Sequence, residues 1–529
     1  HITDFYYGEY NHDLLPAAFC GRLPARDTAE LNNMLKKTLE YEQYKMADPS
    51  YLEDALLVAG DDENYEDTYA NGQINYGSTY YFNGSNGIRA HAYLQDPEGG
   101  NLALQDSILQ NMNRGVGFAT YTAHCGPFGW SRPGFKTSHI ASLEQNRKYG
   151  LWISNCCETA SFGRDNSFVE AALRSWDKGA IGAIGASNDT YWDEDYWWSI
   201  GLTSRISASP TYESSSLGLY DRVFHTHGED TSEWHITQGS MMAAGNLAVE
   251  TSASSRSHYY WEIYHLMGDP SLMPYFGVPQ SLMVSLEREL LRMGDESLMV
   301  NTEPYACVAL SRQGELLDAT YADAQGKADL AFPELSSPGR ATLVVTAQNR
   351  RPYVKELVVS PNNQPYVVPQ EVVFNDSSGN DNGRVDFGET LYLDVTLENV
   401  NDSLDALAVT DSLVCGDLYV SFPDAIESWG DLAAGEKVTH KNAYVMEISD
   451  SVPDQHEASI EMHIKGRDVH DSAYTWKSSK RVVLNAPRLK VEEDIWVEDG
   501  EQGDGLLDPG ETGTLHFVIL NQGHAGVDT

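Results

Sequence analysis

Between residues 54 and 188 short apolar runs alternate with amphipathic stretches, and this alternation restricts the fold more than any other feature of the chain. "ALLVAG" leads into Asp61-Asp62, "VGFATYTAH" ends at His124, "LWIS" stops just before Cys156-Cys157, and "AIGAIGAS" stops just before Asn188. Helix-like segments lie between them: "LALQDSILQNMNRG", "HIASLEQNRKYG" and "FVEAALRSWDKG". Strand–helix–strand alternation implies a largely parallel sheet, because parallel neighbours need a crossover between them. Upstream, "DTAELNNMLKKTLEYEQYK" reads as a helix. Asp27 and Glu30 have capping-box spacing, and Leu31, Met34, Leu35 and Leu39 form its apolar stripe.

In open α/β sheets, sites form beyond the carboxyl ends of the strands. Four successive strand ends here bring Asp62, His124, Cys157 and the loop "NDTYWDEDYWW" to one edge. A thiol, an imidazole and a carboxylate are the set that thiol acyl transfer needs: nucleophile, proton carrier, and a group that orients the imidazole. Adjacent residues on an extended segment face opposite ways, so only one of Cys156 and Cys157 can face the cleft. A cysteine at a strand end just ahead of a helix would have its pKa lowered by the helix dipole. Backbone N–H groups at the Cys and His turns would serve as an oxyanion hole.

Composition excludes several partners. The chain carries 35 basic against 78 acidic residues, a net charge of −43, which disfavours nucleic acid and anionic membranes. No apolar run reaches the ~18 residues of a membrane span. Six cysteines without CxxC or metal-ligand spacing are too few for a disulfide scaffold, and the fold is not expected to depend on disulfides.

"GVGFATYTAH", "SNCCETASF", "SNDTYWDEDYWWSIG" and "HYYWEIYHLMGDPSLMPY" resemble the gingipains, cysteine peptidases of caspase-like α/β fold, and most of all their lysine-specific branch. The resemblance runs from residue 1 to about 360. It implies Cys157 as nucleophile, His124 as the catalytic histidine, Asp62 as its acidic partner, and the N–H groups of Cys125 and Cys157 as the oxyanion hole. It also implies that Asp195 receives the substrate lysine, with Trp192 as an aromatic wall and Thr122 as a hydroxyl lining the same pocket. A lysine stem suits apolar walls, and its ammonium needs a carboxylate. Cys125 stands where the family usually has Gly, which adds a thiol beside the site, and Asp193 replaces a Gly of the lysine-specific branch. The resemblance further implies secretion or a place on the bacterial cell surface, protein or peptide substrates, and no cofactor for the chemistry. A propeptide and an N-terminal subdomain are expected before His1, and surface attachment is expected to lie beyond Thr529.

Four segments follow: 1–277, the caspase-like peptidase domain; 278–361, immunoglobulin-like; 362–488, a β-sandwich repeat; and 489–529, a truncated second copy. The repeat is legible as "NDSSGNDNGRVDFGET" and "VEDGEQGDGLLDPGET". It gathers Asn382, Asp386 and Glu389, then Asp504, Asp508 and Glu511, a hard oxygen set suited to structural Ca²⁺ or, more simply, an acidic surface turn. The functional expectation is a secreted cysteine endopeptidase cleaving after Lys. The alternative is a catalytically inactive gingipain-like surface adhesin or binding protein.

Overall fold

The computed structural model describes residues 2–11, 13, 15–95, 102–164, 166–499 and 512–527. Its first half is organised by a six-stranded sheet: β1 (Asp54–Ala59), β2 (Arg89–Tyr93), β3 (Phe118–Thr122), β4 (Gly150–Asn155), β5 (Ala180–Ala186) and β6 (Tyr264–Met267), in the spatial order β2-β1-β3-β4-β5-β6. The first five strands are parallel, and β6 closes the edge antiparallel to β5. Every residue of β3, β4 and β5 is buried, as parallel strands covered on both faces must be. The alternation therefore yields the expected largely parallel sheet, while β2 and β6 lie in stretches that do not read as strands.

Helices cover both faces: α1 (Thr28–Glu42), α2 (Asn71–Tyr80), α3 (Leu102–Arg114), α4 (Phe168–Arg174), α5 (Trp192–Ile200), α6 (Gln238–Thr251) and α7 (Ser257–Ile263). Two apolar cores result. One contains Leu57, Ile153, Ile184 and Trp198; the other contains Leu56, Val58, Trp152 and Phe168. Neighbours such as Leu56 and Leu57 thus serve opposite faces of one strand.

Half of the expected capping box of α1 forms: Asp27 Oδ1 accepts the Glu30 N–H at 2.8 Å, while Glu30 Oε2 accepts the N–H of Arg26, also at 2.8 Å. Of the expected apolar stripe only Met34 is fully buried. The buried face is Met34, Lys37, Thr38 and Tyr41, whereas Leu35 and Leu39 are 42% and 51% exposed. The reason is Lys37, whose Nζ donates to the carbonyls of Leu173 and Ser175 at 2.8 and 3.0 Å. It satisfies carbonyls that the end of α4 leaves without helical partners. Burial pushes the Lys37 ammonium down to about 7. A helix with a lysine at the centre of its buried face defeats an apolar-period reading.

Beyond Phe276 the described residues form strands and turns, with no helix among them. Residues 280–360 build sheets of two, three and five strands around Leu298, Val308, Leu343 and Val359. Residues 367–484 build two four-stranded sheets around Leu391, Tyr444, Ile464 and Leu484. Leu489–Asp499 then pairs with Thr512–Asn521. Gln348 and Asn349 fasten the first of these units to the sheet-bearing half, through Gln348 Nε2 to the Val223 carbonyl (2.8 Å) and the Phe276 N–H to Asn349 Oδ1 (2.7 Å).

Separate cores have a thermodynamic consequence. Ile153 is fully buried in β4, so Ile153→Ala should cost about 2–5 kcal/mol through lost burial and cavity formation. Calorimetry should show the transition of the sheet-bearing half fall while that of the 367–484 sandwich stays in place. A single transition moving as a whole would show that the two cores unfold as one unit.

Candidate active site

Strand register brings the site together. Thr122, the last residue of β3, pairs with Asn155, the last of β4, and Ala59 of β1 pairs with Thr122. His124 and Cys157 each follow two residues after that pair, and Asp62 follows three after Ala59. His124 Nε2 donates to Asp62 Oδ2 at 2.7 Å, which leaves Nδ1 as the acceptor of the neutral ring. Asp62 Oδ1 accepts the N–H groups of Asn64 and Tyr65 at 2.8 and 3.0 Å. Burial works against the Asp62 carboxylate, but His124 and these N–H donors outweigh it and hold Asp62 below its usual range.

Cys157 faces the segment between β5 and α5. Its Sγ accepts the Thr190 N–H at 3.3 Å and lies 3.7 Å from Thr190 Oγ1. Two residues on, the Trp192 ring stands edge-on to His124, with centroids 5.5 Å apart. One short segment therefore touches both the thiol and the imidazole. Burial raises the Cys157 thiol above its usual pKa; the Thr190 N–H partly offsets this, and the Asp195 carboxylate adds to the rise.

Two expectations about the cysteines are corrected. No helix begins at Cys157: the chain turns, and α4 starts only at Phe168, so no dipole from a following helix acts on the sulfur. The N–H that reaches Sγ comes instead from Thr190, just ahead of α5. Nor does Cys125 add a free thiol, because it forms a disulfide with Cys156, with Cα atoms 5.5 Å apart. Cys156 is fully buried behind the strand, and Cys157 is free. The flanking backbone is strained: Ala123 (φ +155°) precedes His124 and Glu158 (φ +60°) follows Cys157. Non-glycine residues in such conformations cost on the order of 1–3 kcal/mol each and persist where the surroundings dictate them.

Asp195 lies in the first turns of α5 and is 4% exposed. Its Oδ2 accepts from Thr190 Oγ1 at 2.6 Å, and its Oδ1 accepts from the Tyr260 and Tyr264 hydroxyls at 2.8 and 3.2 Å. No cation is among these donors. Burial therefore prevails over the three hydroxyls and pushes Asp195 up to about 7. Thr122 is also buried, its Oγ1 accepting from Gln73 Nε2 at 2.9 Å. Gln73 Oε1 in turn accepts from Asn155 Nδ2 (2.9 Å) and Ser199 Oγ (2.7 Å), and Asn155 Nδ2 reaches the Asp195 carbonyl at 2.7 Å. Asp193 takes the Tyr69 hydroxyl at 2.8 Å. Thr190, Gln73, Asn155, Tyr260 and Tyr264 were not singled out from sequence. Thr190, Tyr260 and Tyr264 fall inside the loop and tyrosine-rich motifs quoted above.

The first acidic turn is closed by its own side chains. Asp386 Oδ2 accepts from Asn380 Nδ2 and Asn382 Nδ2 at 2.9 and 2.7 Å, and Glu389 Oε2 accepts the Asp386 N–H at 3.0 Å. Among the described residues no group of three or more His, Cys, Asp or Glu side chains is arranged to hold a metal ion. Asp504, Asp508 and Glu511 lie outside the described residues.

The family model for peptidase family C25 matches residues 1–275, more than half of the chain. The chain belongs to that family. It is 35% identical over 367 residues to Lys-gingipain W83 of Porphyromonas gingivalis, covering 68% of this chain and 20% of that protein. Against gingipain R1 of the same organism it is 20% identical over 382 residues, covering 69% and 35%. It thus spans about a fifth of the Lys-gingipain it matches. A solved structure described as "Structure of Protease" superposes with a TM-score of 0.62 at 34% identity, covering 68% of this chain and 78% of that one. The crystal structure of the Arg-specific cysteine proteinase gingipain R superposes with a TM-score of 0.56 at 18% identity, covering 68% and 79%, which speaks for the fold alone.

The Asp195 carboxyl sets a pH dependence in this family C25 chain. Its folded pKa of about 7 lies above its usual 3.8, so between those values the folded state keeps a proton that the unfolded state has released. Stability from this group should be full below about pH 4, decline as pH rises towards 7, and level off above. Melting curves of wild type and Asp195→Asn across pH 4–8 should differ in slope over that window and run parallel above it. Parallel curves throughout would show that Asp195 ionises normally.

Proposed function

We propose that this chain carries a cysteine endopeptidase that cleaves after lysine. One observation bears most of that reading: His124, hydrogen-bonded to Asp62, and the free Cys157 follow the same strand pair by the same number of residues, and the Thr190–Trp192 segment touches both. His124 Nδ1 takes the proton from the neutral Cys157 thiol as sulfur attacks the scissile carbonyl. Asp62 holds the ring and stabilises the imidazolium that forms. The tetrahedral oxyanion is received by the N–H groups of Cys125 and Cys157. The imidazolium then protonates the leaving amine, and water activated by the same ring releases the acyl group from sulfur.

Asp195 is the lysine-recognising residue in this reading, with Trp192 beside it and Thr122 behind. The similarity to Lys-gingipain favours Lys over Arg. The carboxylate is uncompensated by any protein cation, and a substrate ammonium would supply the missing charge and hold Asp195 ionised. Its hydroxyl donors keep it oriented meanwhile. An extracellular or cell-surface location fits the Cys125–Cys156 disulfide, since such bonds persist in oxidising compartments. Among the described residues no helix is long and apolar enough to cross a membrane.

The test compares kcat/KM on peptides differing only at P1. Lys substrates should exceed Arg substrates at least ~100-fold; Asp195→Asn should remove most of that preference by leaving the ammonium unpaired; and Cys157→Ala should abolish turnover. Equal rates after Lys and Arg would defeat the specificity, and a fully active Cys157→Ala would defeat the mechanism. A folded wild type without turnover on any peptide would favour the inactive binding protein.

We also infer a calcium role for the turn from Asp376 to Glu389. Asp386 is 1% exposed and its Oδ1 has no hydrogen-bond partner, while burial and the neighbouring Asp386 and Asp376 charges raise Glu389. A cation there would draw in Asp386 Oδ1 and turn the Asn380 and Asn382 amide oxygens inward. Adding Ca²⁺ after chelation should raise the melting temperature of the 367–484 sandwich and leave that of the peptidase half unchanged. Identical curves would reduce the turn to a surface loop.

A further inference from the structure

The Cys125–Cys156 disulfide joins the residue immediately after His124 to the residue immediately before Cys157. It sits where the backbone ladder between β3 and β4 has ended, past the Thr122–Asn155 pair. Without it, the His124 and Cys157 segments are held to each other only by noncovalent contacts, among them the Thr190–Trp192 segment that touches both side chains. The His124 carbonyl accepts the Ser131 N–H at 3.0 Å and the Tyr121 hydroxyl at 3.1 Å, and Trp130 Nε1 reaches Ser154 Oγ at 2.9 Å. Both catalytic residues also adjoin left-handed, non-glycine backbone at Ala123 and Glu158. Those turns would relax if nothing fixed their spacing. The disulfide faces the core that contains Tyr121, Trp130 and Trp152, whereas Cys157 Sγ faces Thr190. Nucleophile and crosslink thus lie on opposite sides of one strand end, as adjacent residues must.

We propose that Cys125 and Cys156 are positioning residues for the peptidase reaction: their disulfide sets the distance between His124 and Cys157, so full activity needs this pair oxidised while Cys157 stays reduced. The inference rests on the peptidase reading above. It also accounts for a cysteine at position 125, since a crosslink there confines the turn that follows the histidine.

The bond is opened by a dithiol in two exchanges. A dithiol thiolate attacks the sulfur of half-buried Cys125, releases the Cys156 thiolate and leaves a mixed disulfide on Cys125. The second dithiol sulfur then displaces the Cys125 thiolate and closes a cyclic disulfide. The dithiol loses two electrons and two protons, and the two cysteines gain them. Cys157 is unchanged in oxidation state.

The experiment is a dithiothreitol titration of the full chain. The open fraction of Cys125–Cys156 is read by alkylation and peptide mass mapping, and turnover and the pH profile of Cys157 alkylation by iodoacetamide are measured in parallel. As the pair opens, kcat should fall at least tenfold with KM within twofold, and the midpoint of Cys157 alkylation should move to higher pH as the imidazole moves away. The double variant Cys125→Gly with Cys156→Ala should show the lowered kcat and no further response to dithiothreitol. Should that variant fail to fold, the wild-type titration decides alone. Unchanged kcat and an unchanged alkylation profile with the bond open would overturn the proposal, and so would a lowered melting temperature without either change. A shifted alkylation profile in a chain that cleaves no peptide would support the positioning role and remove the peptidase reading.

Discussion

Everything at the site depends on the register between β3 and β4. Thr122 lies opposite Asn155 in a ladder of five consecutive parallel pairs. Because side chains alternate faces, a slip of one residue would exchange the sets that a whole strand gives to the two cores. It would turn Cys156 towards Thr190 and Cys157 into the core. The register is pinned by burial on both faces, with Leu151 and Ile153 in one core and Trp152 in the other. It is pinned again beyond the ladder by the Cys125–Cys156 bond. The geometry of this edge is therefore a by-product of sheet packing, and the loops add only the last two or three residues of reach.

Beneath the strand ends, polar groups replace the apolar core. Thr122, Gln73, Asn155, Ser199, Tyr264, Asp195 and Thr190 form one chain of hydrogen bonds that ends at the Cys157 sulfur. Nearly every member is buried, so each donor must be matched or cost free energy. The network links the carboxylate that would read the substrate to the thiol that would attack it through a single residue, Thr190. Its N–H faces the sulfur and its hydroxyl faces Asp195. A substrate cation that altered the charge on Asp195 would thereby alter the field at the Cys157 sulfur, since Asp195 is one of the groups that raise this thiol.

The parallel sheet and the edge where Asp62, His124 and Cys157 meet were legible because they rest on local patterns: apolar runs of strand length, crossover helices, and polar residues at the run ends. What escaped was information that no local pattern holds. The buried face of α1 turns on Lys37, whose partners are carbonyls more than a hundred residues away in sequence. The disulfide needs two cysteines beyond the ends of different strands to fall within reach, which spacing in sequence does not encode. The helix dipole expected at Cys157 is missing because "FVEAALR" becomes helical only from Phe168, well past "SNCC". Thr190 was overlooked beside its more conspicuous neighbours Trp192 and Asp195, although it is the residue that touches the sulfur.

The costly features of this chain are concentrated at one edge. Ala123 and Glu158 hold strained backbone, Asp195 is a carboxyl buried without a cation, and Cys157 is a thiol kept neutral by burial and a nearby carboxylate. None of these would persist on a pliable support. They stand on β3, β4 and β5, which have no exposed residue, and on aromatic packing such as Tyr121 stacked on Trp130 at 4.9 Å. The interior supplies the stability and the edge draws on it, which is the division expected when a rigid scaffold carries a preorganised site. A substrate ammonium against Asp195 would supply the missing cation and offset the negative charge that raises the Cys157 thiol, which makes proton transfer from Cys157 to His124 less costly.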